Sequence, residues 1–301
     1  MQRPQPTDPS GGGVVSGVGG ARLDHVALAA ESALDNFVRY YGELGGAWYK
    51  GGYDPGFYWG TLRYANGMKV ELLEPTPPDR PTDSPAGAEV DATFLRRFLD
   101  RNGPGPHHIT FKVDDIFPAL DAVRAAGFEP VGVSTHQADW KEAFLHPRQS
   151  FGVVVQLSQS ASPPPDPALA PVLPPLRRRR PGGWASEERA SLARIVLLVA
   201  ELEPATVLFG GLLGGVAHAA GADAAGEWVE LAWAESGSIR LHAPRGGELG
   251  AWLGERPGRV HHLHFELDDP AGVSAAEPLG EGLWTVPPEA NLGVRLLLSA
   301  G

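Results

Sequence analysis

His107-His108-Ile109-Thr110-Phe111-Lys112-Val113-Asp114-Asp115 returns later in the chain as His261-His262-Leu263-His264-Phe265-Glu266-Leu267-Asp268-Asp269. His107–Val113 reads as a strand. Asp114 or Asp115 is a suitable N-cap for a helix over Ile116–Ala126, and Gly127 is its stop. Three further pairs repeat around this one. Asp24–Glu31 lines up with Arg194–Glu201, Lys69–Pro75 with Ser238–Pro244, and Gly152–Gln156, more loosely, with Gly293–Leu297. A repeat of this length governs the fold reading. The chain is expected to be two pseudo-equivalent halves, the second with shorter connections.

Leu23–Leu28 reads as a strand, and Ser32–Leu44 as an amphipathic helix with Leu34, Phe37, Val38 and Tyr41 at spacings of three and four. Gly45-Gly46 ends that helix. Phe57–Tyr64 and Met68–Leu73 read as a hairpin around Ala65-Asn66-Gly67, where Asn-Gly supplies positive φ. Past the second helix, Phe128–Val133, Lys141–His146 and Gly152–Ser158 read as strands. Residues 21–160 therefore hold two βαβββ units, and residues 190–301 a degenerate copy. The fold class is α+β, as tandem βαβββ modules in two pseudo-symmetric domains. Residues 1–20, rich in Gly and Pro, are read as unable to bury apolar surface and are expected to be a disordered tail. Residues 161–189 read as a Pro/Arg-rich linker, with Arg177–Arg180 as a solvated charge cluster. Ala205–Ala222, a long uncharged stretch, reads as a buried helix with its loop.

The 301 residues carry a formal net charge of −11, 43% hydrophobic residues and no cysteine. The acidic balance argues against a general nucleic-acid binder. Without Cys there is no disulfide, thiolate-bound metal or thiol nucleophile. Any metal must use His, carboxylate or amide ligands. No basic start followed by an apolar run opens the chain, so a cytoplasmic protein is expected, with no membrane partner.

His25 lies in the first strand of the first unit and Glu71 in that unit's last strand. His108 and Gln156 hold the corresponding places in the second unit. Two imidazoles, a carboxylate and an amide on matching strands suit one divalent ion, with zinc expected and Co, Ni, Mn or Fe as alternatives.

Several segments resemble the methylmalonyl-CoA epimerase branch of the vicinal oxygen chelate (glyoxalase/extradiol dioxygenase) superfamily. They are Asp24-His25-Val26, Val70–Pro75, Phe98–Ile109, Val113–Ile116, Phe144–Pro147 and Gly152–Leu157, and together they span residues 22–158. The resemblance implies the vicinal oxygen chelate fold and ligands at His25, Glu71, His108 and Gln156, with His107 outward or behind His108. The branch carries Glu where this chain has Gln156, and some members carry a second Glu in a region that reads Phe57-Tyr58-Trp59-Gly60-Thr61 here. Gln156 can coordinate but takes no proton at neutral pH. Glu142, in the second unit's third strand, is the candidate base. Tyr58 and Trp59 suggest an aromatic wall for substrate. By the repeat alignment, the second half offers Ile195, Arg240, His262 and Leu297 at the ligand positions and should be metal-free. A separate pocket using His242, His262 and His264 is the alternative for that half.

The expected function is a metal-dependent epimerase or isomerase acting next to a carbonyl through a metal-stabilised enolate. The two-domain layout is similar to cyclitol-ketone epimerases of natural-product pathways, 2-epi-5-epi-valiolone epimerase among them. The substrate expected is thus a cyclitol ketone or other small metabolite rather than methylmalonyl-CoA. A small-molecule binding or resistance protein and an extradiol-type dioxygenase are the alternatives. A fused degenerate copy would act as a built-in partner, so a monomer with an internal pseudo-dimer is expected.

Overall fold

The computed structural model describes residues 17–76, 91–160 and 189–301. Eight strands form the first sheet: β1 (Arg22–Ala29), β2 (Ala47–Asp54), β3 (Phe57–Arg63), β4 (Lys69–Pro75), β5 (Gly105–Lys112), β6 (Pro130–Ser134), β7 (Trp140–Leu145) and β8 (Val154–Ser160). Their order is β2-β3-β4-β1-β5-β8-β7-β6. β1 runs parallel to β4 and antiparallel to β5, and β5 runs parallel to β8. Each βαβββ unit thus supplies four neighbouring strands, and the units meet at β1 and β5.

The second sheet holds β9 (Ser191–Val199), β10 (Val216–Ala222), β11 (Gly226–Ala232), β12 (Ser238–Pro244), β13 (Gly258–Leu267), β14 (Glu277–Gly280), β15 (Leu283–Val286) and β16 (Arg295–Ala300). Its order, β10-β11-β12-β9-β13-β16-β15-β14, repeats the first. The tandem α+β architecture expected from the repeat is the observed one.

Helices α1 (Phe94–Asn102) and α2 (Ile116–Ala125) belong to the first half. Asp115 caps α2, its carboxylate accepting the Phe117 N–H at 3.0 Å. The helix expected over Ser32–Leu44 is less regular: a 3₁₀ turn over Ala33–Asn36 leads into a π turn over Arg39–Glu43. The wider π turn lets the adjacent Tyr40 and Tyr41 both turn inward, which overrides the simple helical period. Ala205–Ala222 also differs from its reading. After the short helix Leu202–Thr206 come a π turn, Val207–Leu212, and the largely exposed edge strand β10.

One core serves both halves. Ile109 and Phe111 of β5 and Leu263 and Phe265 of β13 are fully buried in it. The Phe111 ring lies 5.3 Å from Trp233, and Phe265 lies 5.1 Å from Tyr64. Polar ties accompany them: Asn66 donates to the Leu192 carbonyl at 2.9 Å, and Asn291 to the Tyr40 hydroxyl at 3.0 Å. Burying a large apolar side chain contributes roughly 1.5–3 kcal/mol, against about 1 kcal/mol net for a hydrogen bond. Ring packing therefore dominates the joint between the halves.

The expected tail and linker, residues 1–20 and 161–189, fall mostly outside the described residues. Their described ends are packed. Val18 is 3% exposed, and its backbone N–H donates to the Leu212 carbonyl at 2.7 Å. Arg189 donates through its backbone to Gly45 at 2.9 Å. Among the described residues no helix is long and apolar enough to cross a membrane.

Gly152 and Gly293 occupy equivalent turns at φ 76° and 73°. A Cβ at Gly152 would collide with the backbone of Gly258, and one at Gly293 with that of Pro104, each in the other half. Gly152→Ala and Gly293→Ala are each expected to destabilise the protein by about 2–3 kcal/mol, from left-handed strain plus backbone collision. Chemical denaturation measures this, and values within 0.5 kcal/mol of wild type would contradict it.

Candidate metal centre

Strand alternation sends every second side chain to the face away from the shared core. On that face β5 places His108, Thr110 and Lys112, and β4 places Lys69 and Glu71. β3 adds Trp59 and Thr61, β8 adds Gln156 and Ser158, and β7 adds Trp140, Glu142 and Phe144. β1 contributes His25 through a bulge. The register steps from Leu23 opposite Phe111 to His25 opposite Thr110, leaving Asp24 extra. Bulges re-aim side chains, and here Asp24 turns to its neighbour, with Oδ2 2.8 Å from His25 Nδ1. A second irregularity falls between Ala27–His108 and Leu28–Pro106 and frees His107 from the ladder. Its Nδ1 lies 2.8 Å from His108 Nδ1, and its ring packs on Phe94 and Phe98 of α1.

His25, Glu71 and His108 converge, with one potential ligand atom from each lying within 4.8 Å of the others. Glu71 Oε2 stands 3.6 Å from His25 Nε2 and 3.5 Å from His108 Nε2. Both Nδ1 atoms are engaged behind the site, by Asp24 and by His107, so both Nε2 atoms point forward. His108 Nε2 is buried and has no hydrogen-bond partner among the described residues. A buried, unpartnered ring nitrogen beside a carboxylate and a second imidazole fits a divalent cation, with the rear hydrogen bonds fixing each ring.

Burial disfavours charge on His25, yet Asp24 and Glu71 together raise its pKa above the usual 6.5. Asp24 lies well below the carboxylate range: burial works against ionisation, but His25 and Lys69 outweigh it. Lys69 Nζ is 2.7 Å from Asp24 Oδ1. His108 is held well below 6.5 by burial and by neighbouring His107 and His25. A cation bound here competes with a proton at His25, so its affinity falls as pH drops through that raised pKa.

Thr110 Oγ1 lies 2.9 Å from His25 Nε2 and donates to Gln156 Oε1 at 2.6 Å. Gln156 Nε2 in turn donates to Glu142 Oε2 at 2.7 Å, and the Trp140 indole donates to the same oxygen at 3.0 Å. Gln156 thus reaches the cluster through Thr110, while Glu142, half-buried, is tethered beside it. Burial pushes the Glu142 carboxyl above 4.5 against those two hydrogen bonds. Asp54, at the end of β2, accepts from the Trp59 indole, and its charge also raises the Glu142 pKa.

Of the two aromatic residues expected to wall the site, one lies on the site face. Trp59 is on the site face, opposite Leu73. Tyr58 is 7% exposed in the main core on the opposite face. Alternation forbids adjacent strand residues from sharing a face unless a bulge intervenes, and β3 has none here. Asp24, Thr110 and the lysines 50, 69 and 112 are site residues that the sequence reading missed. Lys112 was signalled by its parity with His108 and Thr110. Asp24 was not, because regular alternation puts it on the other face.

The second sheet corrects the alignment of the halves. Thr110 and Lys69 both pair with His25, and their counterparts His264 and Ser238 both pair with Arg194. The residue at the His25 position is Arg194 rather than Ile195, which is fully buried in the core. Arg240 stands at the Glu71 position and His262 at that of His108. Arg194 Nε lies 2.8 Å from Glu230 Oε1, and Arg240 NH2 lies 2.8 Å from Glu230 Oε2. Fixed guanidinium groups occupy the positions of two ligands, and Glu230 is their counter-ion. Among the described residues the His25–Glu71–His108 set is the one His/carboxylate cluster with ligand spacing.

Asp24→Asn is expected to lower divalent-metal affinity about 10–100-fold by loosening His25. Competition with a chromophoric chelator reads this directly. Unchanged affinity would mean that Asp24 does not orient a ligand.

Residues 24–144 match the model of the glyoxalase/bleomycin resistance protein/dioxygenase superfamily. The chain is 30% identical over 144 residues to an ethylmalonyl-CoA/methylmalonyl-CoA epimerase of Cereibacter sphaeroides, covering 46% of this chain and 97% of that protein. It is 28% identical over 141 residues to the uncharacterized protein YqjC of Bacillus subtilis, covering 46% and 91% respectively. The crystal structure of a hypothetical protein from Staphylococcus aureus aligns over 93% of this chain and 100% of its own, at 10% identity and a TM-score of 0.56. That likeness is one of fold, and it extends over both halves.

Proposed function

Because the chain belongs to the glyoxalase/bleomycin resistance protein/dioxygenase superfamily, we propose that its first half is a metal-dependent epimerase or isomerase acting at a carbon next to a carbonyl. The observation that carries this reading is the convergence of His25, Glu71 and His108 beside the tethered carboxylate of Glu142. His25, Glu71 and His108 would hold the ion. Gln156 fits as a fourth donor, since its amide oxygen keeps one lone pair beyond the bond from Thr110. Bound there, a divalent ion supplies Lewis-acid stabilisation of the negative charge that develops on the substrate carbonyl oxygen.

Glu142 is the base. Its carboxylate takes the proton from the carbon next to the carbonyl, and the Gln156 amide and Trp140 indole hold the accepting oxygen in place. Its raised pKa keeps the conjugate acid available for the return. Return of that proton to a neighbouring atom completes an isomerisation, and delivery of a proton to the opposite face by a second acid completes an epimerisation. Asp54, from the other βαβββ unit, is the second carboxylate near the reacting centre. Trp59 walls the substrate. The substrate is a small carbonyl metabolite, such as a cyclitol ketone. Methylmalonyl-CoA fits less well, because Gln156 stands at the acid/base position of that branch and Phe57–Thr61 carries no carboxylate. The second half takes the place of a partner subunit, so the protein acts as a monomer.

The test is α-proton exchange in D2O by metal-loaded protein on a panel of ketone and thioester substrates. Deuterium wash-in is expected, and Glu142→Gln should slow it about 10²–10⁴-fold with metal content unchanged. The rate should fall as pH drops through the raised Glu142 pKa, because the base must be ionised. Oxygen uptake by an iron-loaded protein would favour a dioxygenase instead. Tight binding without exchange would favour a binding protein.

A further inference from the structure

Among the described residues three ammonium groups stand on the site face, and one of them has a carboxylate partner. Lys69 is paired with Asp24. Lys50 Nζ lies 5.0 Å from the centre of the Trp140 ring and 5.5 Å from that of Trp59, and Lys112 Nζ lies 4.3 Å from that of Trp140. Among the described residues neither Lys50 nor Lys112 forms a salt bridge. The carboxylates of this face are committed elsewhere: Asp24 to His25 and Lys69, Glu71 between the histidines, Glu142 to Gln156 and Trp140, and Asp54 to Trp59. Burial pushes Lys112 down to about 8; the nearby charge of Asp24 opposes this, and the like charges of Lys50 and Lys69 add to it. Ser158 pairs with Lys112 in the ladder, is fully buried, and its hydroxyl has no hydrogen-bond partner among the described residues. Two half-buried cations and an orphan hydroxyl leave this part of the face short of acceptors.

The second half is an internal control for the scaffold. Ladder register sets Lys50 against Ala219, Lys69 against Ser238 and Lys112 against Glu266. All three cations vanish together with the His/Glu/His cluster. The fold therefore does not require them, and they accompany the site. An indole face compensates a desolvated ammonium only in part, whereas an anion would satisfy both ammonium groups and the hydroxyl through charge-assisted hydrogen bonds.

We propose that Lys50, Lys112 and Ser158 form an anion subsite beside the His25–Glu71–His108 cluster, so that the substrate is a carbonyl compound carrying a carboxylate or phosphate group. This rests on the reading of that face as the reaction site, and it narrows the substrate class. A neutral cyclitol ketone would leave the two ammonium groups unmatched, whereas a phosphorylated or carboxylated one would not.

The test is calorimetric titration of the full-length, metal-loaded protein with malonate, with methyl phosphate and with neutral dimethyl malonate. At least one anion should bind about 10-fold or more tightly than the diester, with affinity falling as salt rises. Whichever anion binds more tightly identifies the group as carboxylate or phosphate. Lys50→Met and Lys112→Met should each erase most of the preference while metal content stays unchanged, and Lys50→Arg should keep it. Equal binding of anion and diester, or a preference that survives both Met variants, would overturn the subsite. Metal content and deuterium exchange are measured on the same samples. Absence of either in the wild type would count against the proposed reaction, while repeating the titrations on metal-free protein reads the anion preference independently of that reaction.

Discussion

The antiparallel pairing of β1 with β5 is the constraint on which the site depends. It sits at the centre of the first sheet and joins two units that each carry half of the chemistry. His25 comes from one and His108 from the other, and their rings stand 5.6 Å apart. Glu71 and Gln156 come from the strands that flank this pair in parallel. Neither unit holds a complete set. The two bulges in this pairing matter as much as the pairing itself, because they bring Asp24 and His107 behind the two imidazoles. Rear hydrogen bonds at Nδ1 leave both Nε2 atoms facing the same space.

The two halves show one scaffold with two electrostatic solutions. In the first, a carboxylate and two imidazoles gather where a cation fits. In the second, Arg194 and Arg240 put fixed positive charge on equivalent strand positions, and Glu230 neutralises part of it. Burial would raise the Glu230 pKa, but hydrogen bonds from Arg194, Ser238 and Arg240 bring it below 4.5. The same guanidinium groups, added to burial, hold His264 down to about 4. Removing one arginine would strand a buried charge, which is far costlier than losing a surface pair. The second half thus locks its own site face while its aromatic residues complete the core of the first.

Much of this was legible from local pattern. The repeats around His107–Asp115 and His261–Asp269 imply the tandem sheets, and Asp115, one of two adjacent aspartates able to cap a helix, caps α2. His25, Glu71 and His108 were singled out by their matching places in two units. Errors arose where one residue of register decides a face. Tyr58 and Trp59 are neighbours in sequence, and only Trp59 reaches the site. Ile195 and Arg194 are likewise neighbours, and the ladder assigns Arg194 to the His25 position. A slip of one residue turns a side chain through the sheet, and a gapped repeat alignment cannot see a bulge.

Periodicity, turn residues and internal repetition are properties of short segments, so the sequence by itself determined the element types, the tandem α+β plan and the residue types able to ligate a metal. Tertiary structure alone decided which side chains share a face. It brought Glu142 to Gln156, set Lys50 and Lys112 on one indole, and placed Thr110 between His25 and Gln156. Those contacts join strands that are distant in sequence or displaced by bulges. Their distances follow from ladder register and sheet packing, which no window of the chain encodes alone.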